Sequence, residues 1–456
     1  GMANLGFQTV YQLLNAQPSF LCERAFLSVS GNEARCVSGT AGIFSLENQK
    51  ALTEFDILAF SISFENDYPN ILKIMDDAGM PLRSADRSEK YPLILGGGIA
   101  PTLNPEPLAD FFDLFVLGEA EDILPVFCRF FEASRRLGQR REQFLKDAQK
   151  QLHHVYVPGL YDVHYSPERK ITSVVPREAG LPEKIRVEPV KDINAFRTQE
   201  VISASCTEME DMFLVEVNRG CAHGCRFCAA SFIYRPVRFR GIEEIIGAIH
   251  DGLTRKNKIG LVGTAVSDHP DIPAVCRYII AHKGRAGLGS LRIDRINEEM
   301  VGLIKANGIE TVALAPEAGS QKMRDTLKKK ISEDQIMCAT ALLAEHGIAN
   351  IRLYFMIGLP REEESDIDAI IGLTKKIQHH VRLRFDGKKQ FRRLTLSINQ
   401  FIPKPATPFQ WVPLLDVHIA GKRIKKIKEA FRKDKSVRVI HDVPKWNYVQ
   451  ALLALG

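Results

Sequence analysis

The chain has 456 residues, 45% hydrophobic and 25% charged, with nine cysteines and a net charge of +6. Its length predicts two or three domains, and its composition is that of a globular protein with no disulfide framework. No apolar run approaches the roughly 20 residues of a membrane span and no basic-then-apolar leader opens the sequence, so a cytoplasmic protein with no membrane partner is expected.

Residues 1–135 alternate helix and strand signals. Asn4 is placed to cap a helix through TVYQLLNAQ (9–17), RAFLSVS (24–30) reads as a strand, and DILAFSIS (56–63) as a buried strand. The helix ILKIMDDAGMP (71–81) follows, then the strand PLILGGG (92–98) and the strand LFVLGEAED (114–122), which ends in a glycine and acids. Strand, helix, strand with glycines at the carboxyl ends is the pattern of an open parallel α/β sheet, which binds ligands at those ends. For any one of these glycines a tight turn is the simpler explanation. Residues 136–205 read as a charged helix (136–154), a small hairpin (155–170) and a linker from Arg177 to Thr198.

The stretch VNRGCAHGCRFCAA (217–230) concentrates the chemistry. Thiolates are soft ligands suited to an iron–sulfur cluster, and Cys221, Cys225 and Cys228 lie on one loop at spacings of four and three. A [4Fe–4S] cube takes four cysteines, so three leave one iron open to a substrate. MFLVEV before them reads as a buried strand, and Gly220 and Gly224 let the chain wrap closely. Zinc is the competing assignment, with His223 inside the loop, but tetrahedral sites usually pair two distant knuckles and no second knuckle follows. The other cysteines, Cys22, Cys36, Cys128, Cys206, Cys276 and Cys338, are scattered and read as buried small hydrophobes. Nothing after Cys338 holds an auxiliary cluster.

Residues 206–412 resume the alternation as a barrel of parallel strands, where chemistry sits at the carboxyl ends. KIGLVGTAVSD ends in Gly263, Thr264 and Ser267; LGSLRID supplies Ser290, Arg292 and Asp294; TVALAPEAGSQKMR supplies Glu317; NIRLYFMIGLP supplies Arg352, Ile357 and Gly358. Each charge taken alone reads equally well as a solvated surface group. In INQFIPKPATPFQW, Pro403, Pro405 and Pro408 fix an extended segment, and Phe409 with Trp411 are placed to cover the barrel mouth. Residues 413–456 read as a basic helical segment that stops in mid-helix. Residues 375–438 hold eighteen Lys and Arg against four acids, a local +14 that leaves −8 elsewhere. That concentration suggests RNA or an acidic protein as partner, with a solvated helix face as the plainer account.

The CxxxCxxC spacing, with the aromatic Phe227 just before the last cysteine, resembles the radical S-adenosylmethionine (SAM) superfamily. SLRID, APEAGSQKMR and YFMIGLP follow it in order at barrel spacing. The resemblance implies an α/β protein with a partial (β/α)6 TIM-like barrel and a [4Fe–4S] cluster on Cys221, Cys225 and Cys228. It implies that SAM chelates the open iron through its amino and carboxylate groups. An electron from a donor such as flavodoxin or ferredoxin then cleaves SAM to a 5′-deoxyadenosyl radical. It also implies cofactor contacts from Phe227, the Gly263–Thr264 edge, Ser267, Ser290 and Arg292, from Glu317 toward the ribose or ammonium group, from Arg352 toward the carboxylate, and from Ile357 and Gly358 along the adenine.

The N-terminal strings resemble the Rossmann-like cobalamin-binding domain that precedes many such barrels. The residues carrying this are Ser61 and Ser63, Gly96, Gly97 and Gly98 with Pro101, and the Gly118–Glu119 pair. The DxHxxG loop with its cobalt-ligating histidine is absent, and GMAN opens like the loop after a missing first strand. A cropped chain, a degenerate domain and cobalamin held without a protein histidine therefore all stay open. PKPATPFQW, SLRID and NPEPLADFFD resemble an uncharacterised group of cobalamin-type radical SAM proteins. The expected activity is SAM cleavage in the service of cobalamin-dependent methyl transfer. The alternatives are cobalamin-independent modification of RNA or protein, and a redox sensor or RNA-binding protein without turnover. Methylthiotransfer is disfavoured, because the N-terminal half holds no second cysteine triplet.

Overall fold

Runs of apolar residues too short for helices become buried parallel strands when glycines and turn residues bound them. In the N-terminal part they are β1 (Ile57–Ser61), β2 (Leu93–Gly97) and β3 (Leu114–Val116), joined in that order with parallel register, and β2 and β3 are buried almost throughout. The computed structural model describes residues 3–27, 42–168, 171–203, 209, 211–387 and 391–456. These form two compact units, residues 1–191 with 453–456 and residues 192–452.

In the first unit a short β4 (Val155–Tyr156) closes the sheet antiparallel to β3. Phe112 and Phe115 stack in the core beneath the helices, which include Tyr68–Asp77, Ala120–Arg136 and Arg141–Gln151. Asn4 caps the helix Leu5–Asn15, its Oδ1 accepting from the Phe7 amide at 3.0 Å. The charged helix expected at 136–154 is the shorter Arg141–Gln151, following a separate helix that ends at Arg136. The hairpin also lies later than expected, as β5 (Tyr161–Tyr165) with β6 (Ile171–Pro176), because Val155 and Tyr156 are drawn into the main sheet. Arg24–Leu27 form no strand, and the rest of the strand expected at 24–30 lies outside the described residues.

The second unit is a partial barrel. One sheet holds β8 (Arg238–Phe239), β7 (Phe213–Arg219), β9 (Lys258–Gly263) and β10 (Arg285–Leu288), with β8 antiparallel at its edge. The other holds β11 (Thr311–Glu317), β12 (Asn350–Ile357), β13 (Arg393–Gln400) and β14 (Val437–His441), all parallel, and a single Leu291–Leu314 bridge links the two. Six strands make the expected partial barrel and β14 adds a seventh, from a segment the sequence reads as helical. VRVIH forms that strand because it is β-branched at alternate positions and continues the edge of β13.

Strand alternation decides which side chains face the lumen. In β12, Ile351, Leu353, Phe355 and Ile357 are buried against the surrounding helices, whereas Asn350, Arg352, Tyr354 and Met356 take the opposite face. Among the described residues no helix is long and apolar enough to cross a membrane.

Candidate functional site

The buried strand β7 delivers the cysteine loop to the carboxyl end of the barrel. Gly220 makes the exit possible: its φ is +82°, and a Cβ there would collide with the Tyr234 carbonyl oxygen. The loop is then fastened to residues 326–328. The Arg226 amide donates to Leu327 O at 3.0 Å, the Arg226 guanidinium donates to Thr326 O at 2.8 Å, and the Cys225 sulfur lies 4.0 Å from Lys328 O. Cys221 and Cys225 are buried and Cys228 is half-buried. Burial pushes the Cys225 thiol above its ordinary value, with the Lys329 ammonium opposing and the neighbouring Cys228, Cys221 and Glu317 adding to the rise.

Glu317 arrives from β11 by an irregularity. The register with β12 shifts between Leu314 and Glu317, and Glu317 takes a φ of +68°. Such a bulge at a strand end turns a side chain out of the regular alternation. The carboxylate accepts from Lys329 Nζ at 3.0 Å and is 14% exposed. Burial raises its pKa above the usual carboxylate range, against the pull of Lys329.

A second polar group forms at the exits of β9 and β10. His223 Nε2 lies 2.5 Å from Asp268 Oδ2, while Arg292 and Arg295 approach Asp268 Oδ1 at 3.5 and 3.4 Å. Ser267 Oγ accepts from the Arg292 amide at 3.2 Å, and the Arg292 guanidinium reaches Asp294 at 2.7 Å. Cys221, His223 and Asp268 carry ligand atoms within 4.8 Å of one another. Gly263 packs directly against the Asn218 side chain, where the β7–β9 register also shifts. Asn218 Oδ1 is buried without a hydrogen-bond partner, and Arg292 Nε has none beyond its 3.5 Å ion pair with Asp268 Oδ1. Unsatisfied buried groups of this kind are costly unless a ligand completes them. Three soft thiols on one tight loop suit an iron–sulfur cluster, and an unmatched buried acceptor suits the ammonium end of a zwitterionic cosubstrate.

The sequence-derived residues do not all converge. Phe227 packs at the edge of an apolar cluster that includes Met323, Leu359, Phe401, Phe409 and Met356. Phe409 thus takes the covering position expected of it, whereas Trp411 stays 84% exposed. Thr264 and Ser290 are exposed at the ends of β9 and β10. Ile357 is fully buried among the helix-facing residues, so its side chain forms no wall at the mouth, and the Gly358 amide donates to Glu362 at 2.6 Å. Arg352 departs furthest. It is the third residue of β12, five residues before the strand ends, or roughly 16 Å at ~3.3 Å per residue. It shares a basic cavity with Arg393 and Arg438. The sequence reading missed Asn218, Asp268 and Lys329. TLKKK (326–330) has no period to set it apart, and only the fold brings Lys329 to Glu317.

In the first unit, Ser61 and Ser63 are exposed at the end of β1, with Ser63 Oγ accepting from Asn4 Nδ2 at 2.9 Å. Gly97 ends β2, and Gly98 at φ +106° passes so close to Ile62 that a Cβ would lie 2.5 Å from its carbonyl oxygen. Gly118 and Glu119 are already engaged. Val187 packs on Gly118, and the Glu119 carboxylate accepts from the Val190 amide at 2.8 Å. The linker thus covers the end of β3. His154, which the sequence leaves as an ordinary residue, contacts Leu117 O at 3.1 Å through Nδ1 and the Glu188 amide at 3.3 Å through Nε2.

Comparison with known proteins follows this division. Residues 6–158 match the family described as "Radical SAM proteins, N-terminal", and residues 215–374 match "Radical SAM superfamily". An uncharacterised protein of Methanocaldococcus jannaschii is 30% identical over 420 residues, covering 91% of this chain and 81% of that protein. A second protein of that organism, named "Putative methylthiotransferase MJ0865", is 24% identical over 164 residues, 33% of this chain and 36% of its own. The radical SAM methyltransferase TsrM from Kitasatospora setae, solved with tryptophan substrate and a SAM analogue, has a similar fold. Its TM-score is 0.50 at 12% identity, over 80% of this chain and 65% of that one. The chain therefore spans less than two thirds of that structure.

Proposed function

The chain belongs to the radical SAM superfamily, an enzyme superfamily whose members use a [4Fe–4S] cluster and SAM, and from that premise we propose that Cys221, Cys225 and Cys228 hold the cluster at the mouth of the barrel. The observation that carries this reading is the docking of the cysteine loop on residues 326–328, which gathers Cys221 and Cys228 around Cys225 and sets Cys225 near Lys329 and Glu317. A cluster held there would supply the electron for the reductive cleavage of SAM. The protein's own part is to orient the cosubstrate and exclude water and oxygen. Asn218 Oδ1 would accept from the SAM ammonium group, the Arg292 guanidinium, held by Asp268 and Asp294, would offer its charge to the carboxylate, and Glu317 would accept from ribose hydroxyls. The apolar cluster around Phe227 and Met356 borders the adenine.

The test is anaerobic reconstitution with iron and sulfide, followed by SAM and dithionite. Wild-type protein is expected to carry about four irons and release 5′-deoxyadenosine, and Cys→Ala variants at 221, 225 or 228 to lose both. Bound zinc without 5′-deoxyadenosine would overturn the assignment.

A second reading concerns the first unit. Ser61, Ser63 and Gly97 stand at the open carboxyl ends of β1 and β2, where a parallel sheet of this type accepts a flat cofactor. These residues fit cobalamin bound without a protein histidine, since His154 has both ring nitrogens engaged and Glu119 is taken by Val190. Cobalamin would supply a transferable methyl group, making the reaction a methyl transfer. Reconstitution with hydroxocobalamin is expected to give about one cobalt per chain. Absence of cobalt would leave chemistry that needs SAM alone.

A further inference from the structure

At the amino-terminal ends of β11 to β14, opposite the mouth, lies a cavity of about 280 Å³. Its composition follows from the strand register. Thr311, Asn350 and Arg393 form one row, and Arg352, Thr395 and Arg438 form the next, so arginines from β12, β13 and β14 stand among neutral polar groups. Arg392 completes the lining, held by Asn350 Oδ1 at 3.4 Å and facing Glu310 at 3.8 Å on its outer side. Among the described residues no carboxylate lines the cavity. Arg352, Arg393 and Arg438 make no ion pair among the described residues, so no carboxylate neutralises them within the cavity. Like charges gathered in one concavity repel one another and are stabilised by an anion. Guanidinium groups beside hydroxyl and amide donors suit the oxygens of phosphate, which accept bidentate bonds.

We propose that this cavity binds a phosphate-bearing anion with more than one phosphate group, held by Arg352, Arg393 and Arg438 with Thr395 and Asn350. The site is separate from the mouth and does not depend on the cluster or on SAM. The charge excess of residues 375–438 thus has a structural focus in Arg392, Arg393 and Arg438, which Arg352 joins from β12.

The experiment is isothermal titration calorimetry of the full chain with inorganic tripolyphosphate at fixed ionic strength. Saturable binding is expected. The Arg352→Gln, Arg438→Gln double variant should bind about tenfold or more weakly, the size expected when charge-assisted contacts are lost. Arg393→Gln, on a different row of the cavity, should weaken binding in the same direction. A Lys425→Ala, Lys428→Ala variant on the helix surface should bind as wild type does. Displacement of tripolyphosphate by ATP assigns the phosphates to a free nucleotide, and displacement by single-stranded RNA assigns them to a nucleic-acid backbone. The proposal is overturned if chloride at equal ionic strength competes as well as phosphate does, if the arginine variants bind like wild type, or if the lysine variant loses as much affinity.

Discussion

Lys329 Nζ stands 3.0 Å from Glu317 Oε1, joining the loop that anchors the cysteines to the bulged end of β11. The pair places a cation and a carboxylate near the Cys225 thiol, each partnered by the other before any ligand arrives. Glu317→Ala removes the acceptor while leaving the cysteine loop docked through Arg226. A hydrogen bond to a charged group contributes about 1.5–3 kcal/mol, so SAM affinity should fall by roughly ten- to a hundredfold at unchanged iron content. Equilibrium dialysis of reconstituted protein with parallel iron analysis measures both. Iron loss at constant SAM affinity would assign the pair to the cysteine loop instead.

Gly220→Ala attacks the loop itself. A side chain at φ +82° is strained, and here it would also meet the Tyr234 carbonyl. The strain alone costs about 1–3 kcal/mol, and the collision adds to it. Reconstituted iron should drop well below the wild-type value, with a lower Tm for the apoprotein. Full iron loading in Gly220→Ala would show that the loop reaches its ligand geometry by another path.

Much of this arrangement is legible before folding. Three cysteines within eight residues announce their chemistry through spacing, and the alternation in IRLYFMI announces a strand. Alternation alone does not say how far along a strand a residue lies from the chemistry. Arg352 faces the lumen as its period requires, yet lies five residues too early to reach the mouth. Ile357 is at the right end but on the wrong face. Bulges are equally silent: the register shifts that place Glu317 and Asn218 depend on neighbouring strands supplied by distant sequence. The Gly118–Glu119 pair was readable as a strand end, but its cover by Val187 and Val190 comes from a linker with no periodic signal.

The basic helix Val417–Ala430 looks like a nucleic-acid surface in sequence and less so in three dimensions. Lys426 pairs with Asp368 at 2.7 Å and approaches Glu364 at 3.6 Å, Lys425 approaches Glu429 at 3.8 Å, and Arg423 is buried against Glu362 and Glu364. Replacing Lys425, Lys426 and Lys428 by Ala should therefore change RNA affinity and its salt slope little, and lower stability by about 1 kcal/mol or less. Filter binding across a salt series and urea unfolding check the two halves. A large drop in affinity with a flatter salt slope would restore the helix as an RNA contact.

The last prediction follows from Glu362, which ties the exit of β12 to that helix. Its side chain is 3% exposed, accepts from the Gly358 amide at 2.6 Å and faces Arg423 at 2.5 Å. Burial pushes its carboxyl up to about 7, with the Gly358 amide and Arg423 pulling the other way. A carboxyl raised in the folded state holds a proton there that the unfolded chain has released. Its contribution to stability is therefore fully present below the ordinary glutamate value near 4.3 and is lost as pH rises to about 7, some 3 kcal/mol in order of magnitude across that window. Glu362→Gln keeps a carbonyl acceptor for Gly358 and cannot ionise. Urea midpoints at pH 5 and pH 7.5 should show wild type losing stability relative to the variant as pH rises. The opposite trend, with wild type gaining on the variant toward neutral pH, would mean that Arg423 already holds the carboxylate ionised at pH 5.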